Sequence, residues 1–186
     1  MTQVLVTYAT DYGSTKAMAE AVGKGAQSVP ETQVVLKEVT TVTPEELLAA
    51  DAIIMGTPVH MAACDWRIKQ FIDKVCGPCW MKDKAVGKVA GVFGTGAGYG
   101  QGGSGCELAM LSMLGNLAEL GCIIVPLPKR TKGYSEGGLH WGPYGRSSDD
   151  ALKSKPLNAG ALQAAEAHGA NIARVAKALQ GKELLT

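Results

Sequence analysis

The chain has no apolar run approaching the roughly 20 residues that a bilayer-spanning helix needs, so no membrane insertion is expected. It has no basic segment leading into an apolar stretch and a cleavage site near its start, so no secretory leader is expected either. It lacks an excess of charge of either sign. A net charge of +1 over 186 residues makes no electrostatic case for nucleic acid, nor for a strongly acidic docking surface. Its five cysteines are an odd number and lie in apolar or helical contexts, which suits reduced thiols in a cytoplasm better than a disulfide framework. What the chain does have is a globular composition, 46% hydrophobic and 19% charged, and 24 glycines that cluster in residues 94–105 and again in 133–145. Its length suits one domain over residues 1–186.

Strands and helices alternate along it. Val4-Leu5-Val6-Thr7-Tyr8-Ala9 reads as a buried strand, and residues 14–28 as an alanine-rich helix. A strand over 34–39 follows, then a short helix with Thr43 as N-cap and Pro44 in its first position. Ala52-Ile53-Ile54-Met55-Gly56 is a compact strand, and residues 65–75 carry Trp66, Ile68, Phe71, Ile72 and Val75 at helical spacing. The next strand covers 88–93, the next helix 107–120, the next strand 122–125, and the closing helix 159–179. Five alternations with unbroken apolar strands predict a parallel sheet with helices on both faces. The expected fold is α/β, a three-layer sandwich with a five-stranded parallel sheet in the order 2-1-3-4-5.

Three loops follow three of these strands and would meet at one edge of such a sheet, where its ligands bind. The first is Thr10, Asp11, Tyr12, Gly13, Ser14 and Thr15. It reads either as an anion seat at a helix start or as an ordinary N-cap by Ser14 or Thr15. It lacks the lysine of a nucleoside triphosphate loop and the spaced glycines of a dinucleotide fingerprint, so one terminal phosphate, as on FMN, suits it best. The second loop is Thr57, Pro58, Val59, His60 and Met61; the third is Thr95, Gly96, Ala97, Gly98, Tyr99 and Gly100. The alternating glycines of the third are explained either by turns or by backbone N–H groups laid along a flat ring. The convergence of the three loops favours the anion seat.

Thr10-Asp11-Tyr12-Gly13-Ser14-Thr15, Gly56-Thr57-Pro58, Phe71-Ile72-Asp73, Lys88-Val89-Ala90-Gly91-Val92-Phe93, Ile123-Ile124-Val125-Pro126 and Gly142-Pro143-Tyr144-Gly145 together resemble the WrbA-type NAD(P)H:quinone oxidoreductases of the flavodoxin-like superfamily. The resemblance implies an FMN enzyme that takes electrons from NADH or NADPH and reduces a quinone-like acceptor. It implies that the first loop holds the FMN phosphate and ribityl end. Thr57, Pro58, Val59, His60 and Met61 would flank the isoalloxazine, and the third loop its pyrimidine side. Tyr12 would stand near the nicotinamide dinucleotide and Trp80 at the substrate face of the flavin. The family completes its site across a tetramer, so a homodimer or homotetramer is implied, with Trp80 serving a neighbour's flavin. No residue is expected to act as a catalytic acid or base, and no metal is expected. This chain departs from the family with His60-Met61-Ala62 in place of Arg-Phe-Gly and with Leu120 in place of a histidine. A flavodoxin-like FMN electron carrier without a small-molecule substrate is the alternative.

Other features have blander readings. Cys76-Gly77-Pro78-Cys79 has thioredoxin spacing but follows a helix rather than opening one, and it reads as a loop. His140 falls in the glycine-rich segment 132–146, a long connection suited to capping a site or forming an interface. His168 lies on the closing helix as an expected surface residue, and Met55, Met110 and Met113 as core.

Overall fold

The computed structural model describes residues 1–99 and 105–185. Strand β1 (Thr2–Tyr8) lies between two other strands of the sheet. Val4, Leu5 and Val6 in it are at most 1% exposed, as expected of a strand covered on both faces. It pairs in parallel with β2 (Thr32–Glu38) on one side and β3 (Ala52–Pro58) on the other, and β4 (Val89–Gly96) pairs in parallel with β3. Helix α1 (Ser14–Gln27) joins β1 to β2. A single 3-10 turn (Val39–Thr41) and helix α2 (Pro44–Ala49) join β2 to β3. Thr43 and Glu46 close a reciprocal cap around Pro44, as the sequence signals.

The expected five strands are corrected to seven. The fifth place is divided between two pieces of chain. After helix α5 (Cys106–Glu119), the short strand β5 (Ile123–Ile124) pairs only with Val89 and Ala90 of β4. The chain then leaves, forms helix α6 (Tyr134–Gly137) and strand β6 (Gly138–Leu139), and returns as β7 (Gly142–Arg146). β7 runs parallel to β4 along Gly94, Thr95 and Gly96, while β6 and β7 form an antiparallel pair. The described order is β2-β1-β3-β4-β7-β6, with β5 also on β4. Segment 132–146 is therefore sheet as well as connection. It has no apolar run to announce a strand; close approach holds it instead. A Cβ on Gly142 would lie 2.0 Å from the Val92 carbonyl oxygen, so only glycine lets β7 sit where it does.

Helices α1 and α7 (Ala159–Leu179) cover one face. They touch backbone to backbone: a Cβ on Gly25 would fall 1.8 Å from the Glu166 carbonyl oxygen, and one on Gly169 2.0 Å from that of Val22. His168 of α7 is not a surface residue; it is fully buried, with its ring against Gly91 of β4. The inward stripe of α7 is largely alanine and glycine, which brings the helix axis close enough for a histidine to reach the sheet. The other face packs Ile53, Met55 and Val92 against Ile68, Met110 and Met113. Ile68 belongs to α3 (Trp66–Phe71), which widens into a π turn (Ile72–Cys76) and then helix α4 (Gly77–Trp80). The Cys76–Cys79 tetrapeptide is thus helical, not a loop. Pro78 has no N–H to continue an α ladder, and the π turn just ahead of it takes up the mismatch.

Candidate functional site

The ends of β1, β3 and β4 open onto one cavity of about 400 Å³, within the range of small-molecule and cofactor sites. Its first wall is Thr10, Asp11, Tyr12, Ser14 and Thr15. Gly13, not Ser14 or Thr15, is the N-cap of α1; its φ of 87° is the left-handed conformation that favours glycine. No side chain caps the first turn of α1. The first helical bond runs from the Ala17 N–H to the Gly13 carbonyl (2.9 Å), so the N–H groups of the preceding turn remain for an anion. Thr10 steadies the loop by accepting the Gly13 N–H on its hydroxyl (3.0 Å). The Thr15 side chain turns inward instead, and its hydroxyl shares a buried 2.7 Å hydrogen bond with that of Thr95.

That bond ties the first loop to the third. The Val59 N–H donates to the Thr95 carbonyl (2.8 Å) and ties the second to the third. Pro58, Val59 and His60 form the second wall, and Thr95, Gly96 and Ala97 the third. A fourth wall lies after β7: Ser147, Ser148, Leu152 and Ser154. The Ser147 N–H donates to the Gly96 carbonyl (2.9 Å), and the Ser148 hydroxyl to the Ala97 carbonyl (2.8 Å). Sequence reasoning missed these serines; their only signal was the Ser-Ser pair directly after Gly-Pro-Tyr-Gly-Arg.

Several expected site residues stand elsewhere. Thr57 is buried behind the wall, where its hydroxyl accepts the Asp65 N–H (2.8 Å) and donates to the Pro58 carbonyl. Met61 and Ala62 have positive φ at the tip of a turn closed by mutual His60–Ala63 backbone bonds, and Met61 is fully exposed. Gly98 and Tyr99 lie beyond the cavity wall, and the Tyr99 ring is covered by the Arg146 guanidinium 5.0 Å from its centroid. Gly100 lies outside the described residues. Trp80 is not in this site. It borders a separate hollow of about 230 Å³ with Ile72, Cys76 and Leu120.

Beside the first and second walls sits a charged cluster that the sequence did not announce. Arg67, the second residue of α3, grips both carboxylate oxygens of Asp65 (Nε 2.8 Å, Nη2 2.7 Å). It also donates to the Thr10 carbonyl (3.2 Å) and to Asp11 Oδ1 (2.6 Å). His60 Nε2 stands 3.1 Å from Asp11 Oδ2 and 3.1 Å from Asp65 Oδ2. Burial pushes the Asp65 carboxyl up, but the Arg67 hydrogen bonds and charge outweigh it and leave the group below the usual carboxylate range. Asp11, His60 and Asp65 could together offer three metal ligands, but the guanidinium already occupies both carboxylates.

A family profile described as a flavodoxin domain matches residues 5–78. The chain is 34% identical to an NAD(P)H dehydrogenase (quinone) of Rhizobium meliloti over 97% of its own length and 94% of that protein. The chain belongs to that family. Over 120 residues the family member is also 40% identical to a flavodoxin of Aquifex aeolicus, a match spanning 64% of each chain. Among solved structures, a WrbA-like flavodoxin from Agrobacterium tumefaciens superposes with a TM-score of 0.73 at 26% identity, covering 96% of this family member and 99% of the other chain.

Proposed function

We propose that this protein is an FMN-dependent NAD(P)H dehydrogenase that reduces a quinone-like acceptor by two electrons. The observation that carries the reading is the cavity itself. At one end it has the uncapped, glycine-started N-terminus of α1, with hydroxyls of Thr10 and Ser14 beside it. At the other it has walls from Pro58, Val59, Gly96 and Ala97, whose small or apolar side chains suit a flat ring. That donor set fits a cofactor with one terminal phosphate, a polar linker and a planar head. The helix N-terminus and Ser14 would hold the phosphate, Thr10 and the serines after β7 the linker, and the second and third loops the ring. When bound, FMN supplies the two-electron exchange between the nicotinamide and the acceptor.

The chain's own part is to bind, orient and exclude water. Three mutually tethered loops keep the seat rigid before the cofactor arrives, which limits the ordering cost of binding. Tyr12 is 91% exposed at the mouth, free to stack on a planar nicotinamide or acceptor. Leu152 of the cavity lining is also exposed, as are Met61 and Trp66 in the chain just after the second wall. Such an apolar rim supports assembly into a homodimer or homotetramer that closes the site, with Trp80 turned toward a neighbour. All five cysteines are free, which suits the cytoplasm.

A visible spectrum of the purified protein, followed by anaerobic addition of NADH or NADPH and then a benzoquinone, tests the reading. The expected result is a flavin spectrum bleached by a nucleotide and restored by the quinone. A colourless protein that takes up no FMN overturns the cofactor. A bound flavin that neither nucleotide bleaches overturns the dehydrogenase and leaves an electron carrier.

A further inference from the structure

Asp11 is an awkward residue for a phosphate seat. It lies in the loop that would receive a phosphate dianion and brings a negative charge of its own to the cavity wall. A second carboxylate, Asp65, is only 1% exposed nearby. Two carboxylates at this spot would repel an incoming phosphate, and the buried one would be costly to leave unpaired. Arg67 answers both. Its side chain is 19% exposed, fastened at its base to Asp65, and reaches across to the first loop, where it holds the Asp11 carboxylate and the Thr10 carbonyl at once.

Asp65 anchors that reach in the frame of the molecule. Its N–H is held by the buried Thr57 hydroxyl, and its Oδ1 accepts the Arg67 N–H (2.8 Å) as the N-cap of α3. The chain of contacts therefore runs from the end of β3 through Thr57, Asp65 and Arg67 to the phosphate loop. No other described side chain is seen to tie Thr10 and Asp11 to the second loop except His60, which meets Asp11 Oδ2. Asp11 and Asp65 together carry two negative charges, Arg67 one positive charge, and His60 a further positive charge only when protonated.

We propose that Arg67 is a positioning residue that makes the first loop acceptable to a phosphate, by neutralising Asp11 and fixing Thr10 and Asp11 so that the first-turn N–H groups of α1 face the cavity. This rests on the FMN reading and deepens it. It assigns phosphate selectivity to a side chain on a different element from the loop, one that need not touch the ligand. A residue that merely stabilised the fold would weaken every flavin equally. Arg67 is expected to act on the phosphate alone, so the comparison that matters is FMN against riboflavin, which has the same ring and ribityl chain without the phosphate.

The test uses the full chain stripped of flavin and titrated with each flavin by fluorescence quenching, at low and high salt. Arg67→Gln is expected to lower FMN affinity about tenfold or more and riboflavin affinity little, since the lost charge acts on the phosphate. Adding Asp11→Asn to Arg67→Gln is expected to recover most of the FMN loss. High salt is expected to shrink the difference between the wild type and Arg67→Gln. An unchanged ratio of FMN to riboflavin affinity in Arg67→Gln overturns the inference, as does a double variant no better than the single. Should Arg67→Gln not fold by circular dichroism, Asp11→Asn alone decides. It leaves the Arg67–Asp65 pair intact and is expected to raise FMN affinity but not riboflavin affinity; a fall in FMN affinity overturns the inference. A wild type that binds neither flavin overturns the FMN reading itself, a result distinct from all of these.

Discussion

Two regions at opposite ends of the sheet carry reactive side chains, and they use them in opposite ways. At the carboxyl edge, Asp11, His60, Asp65 and Arg67 satisfy one another across three elements beside an open cavity. At the amino edge, Cys76, Cys79 and Cys122 gather with Lys88 in apolar surroundings. There burial pushes the Cys122 thiol up to about 11 and the Cys76 thiol higher still. Burial also lowers the pKa of Lys88, whose ammonium is spent on the backbone carbonyls of Leu48 (2.7 Å) and Ala50. The thiolate is the reactive form of cysteine, so burial works against redox chemistry in the cluster that looks like a redox motif in sequence. The cluster with no motif lies beside the open cavity. Spacing along the chain identifies chemistry only when the environment leaves the groups charged and accessible.

The largest expected effect lies at the carboxyl edge. Ser14→Glu puts a carboxylate in the phosphate seat while leaving a residue that suits a helix N-terminus, so the fold should survive and FMN affinity fall on the order of a hundredfold or more by flavin fluorescence titration. Retained affinity would place the seat elsewhere.

His168 sits between the two edges and gives the next effect. It is fully buried, and neither ring nitrogen has a partner in hydrogen-bond geometry among the described residues. Burial lowers its pKa to about 4, with the Val92 backbone opposing the fall. The unfolded chain takes up this proton near 6.5, well before the folded one does. The stability linked to neutral His168 is therefore present above pH 6.5 and lost as pH falls toward 4, by about 3 kcal/mol in all. Denaturant midpoints measured across that window should fall steeply in the wild type and less steeply in His168→Gln; equal slopes would contradict the assignment.

Smaller effects separate the amino edge from function. Cys79→Ala should cost about 1 kcal/mol through a small cavity and leave flavin binding unchanged, and the native cysteines should react only slowly with a disulfide reagent at neutral pH. Rapid reaction would make the tetrapeptide a redox centre after all. Thr43→Ala removes the cap that accepts the Glu46 N–H (3.3 Å) and should cost about 1 kcal/mol in thermal or denaturant unfolding, with no effect on flavin affinity. A change in affinity there would mean that the start of α2 is coupled to the flavin seat.

Legibility followed the physical origin of each feature. Helix α7 was read to the residue, because an alanine-rich stretch between Asn158 and Gln180 carries its own start signal and propensity. The first four strands were legible as apolar runs. β7 was not, since Gly142, Pro143 and Gly145 have neither alternation nor strand propensity and pair only because the neighbouring surface admits them. The seat of Thr10, Ser14 and Thr15 was legible as a type of loop, but its cap was misread: Gly13 takes the left-handed corner that no side-chain oxygen had to supply.

By itself the sequence determined the alternation of strand and helix, the parallel sheet that follows from it, and the three loops that such a sheet must bring to one edge. Those are local or topological consequences of hydrophobic pattern and chain handedness. Only the tertiary structure decided that Arg67, 56 residues from Asp11, would lie against it, that His168 would face the sheet, and that Cys76 and Cys79 would be buried. Contact between distant charges and the solvent exposure of a side chain depend on how elements pack. Neither has a period along the chain.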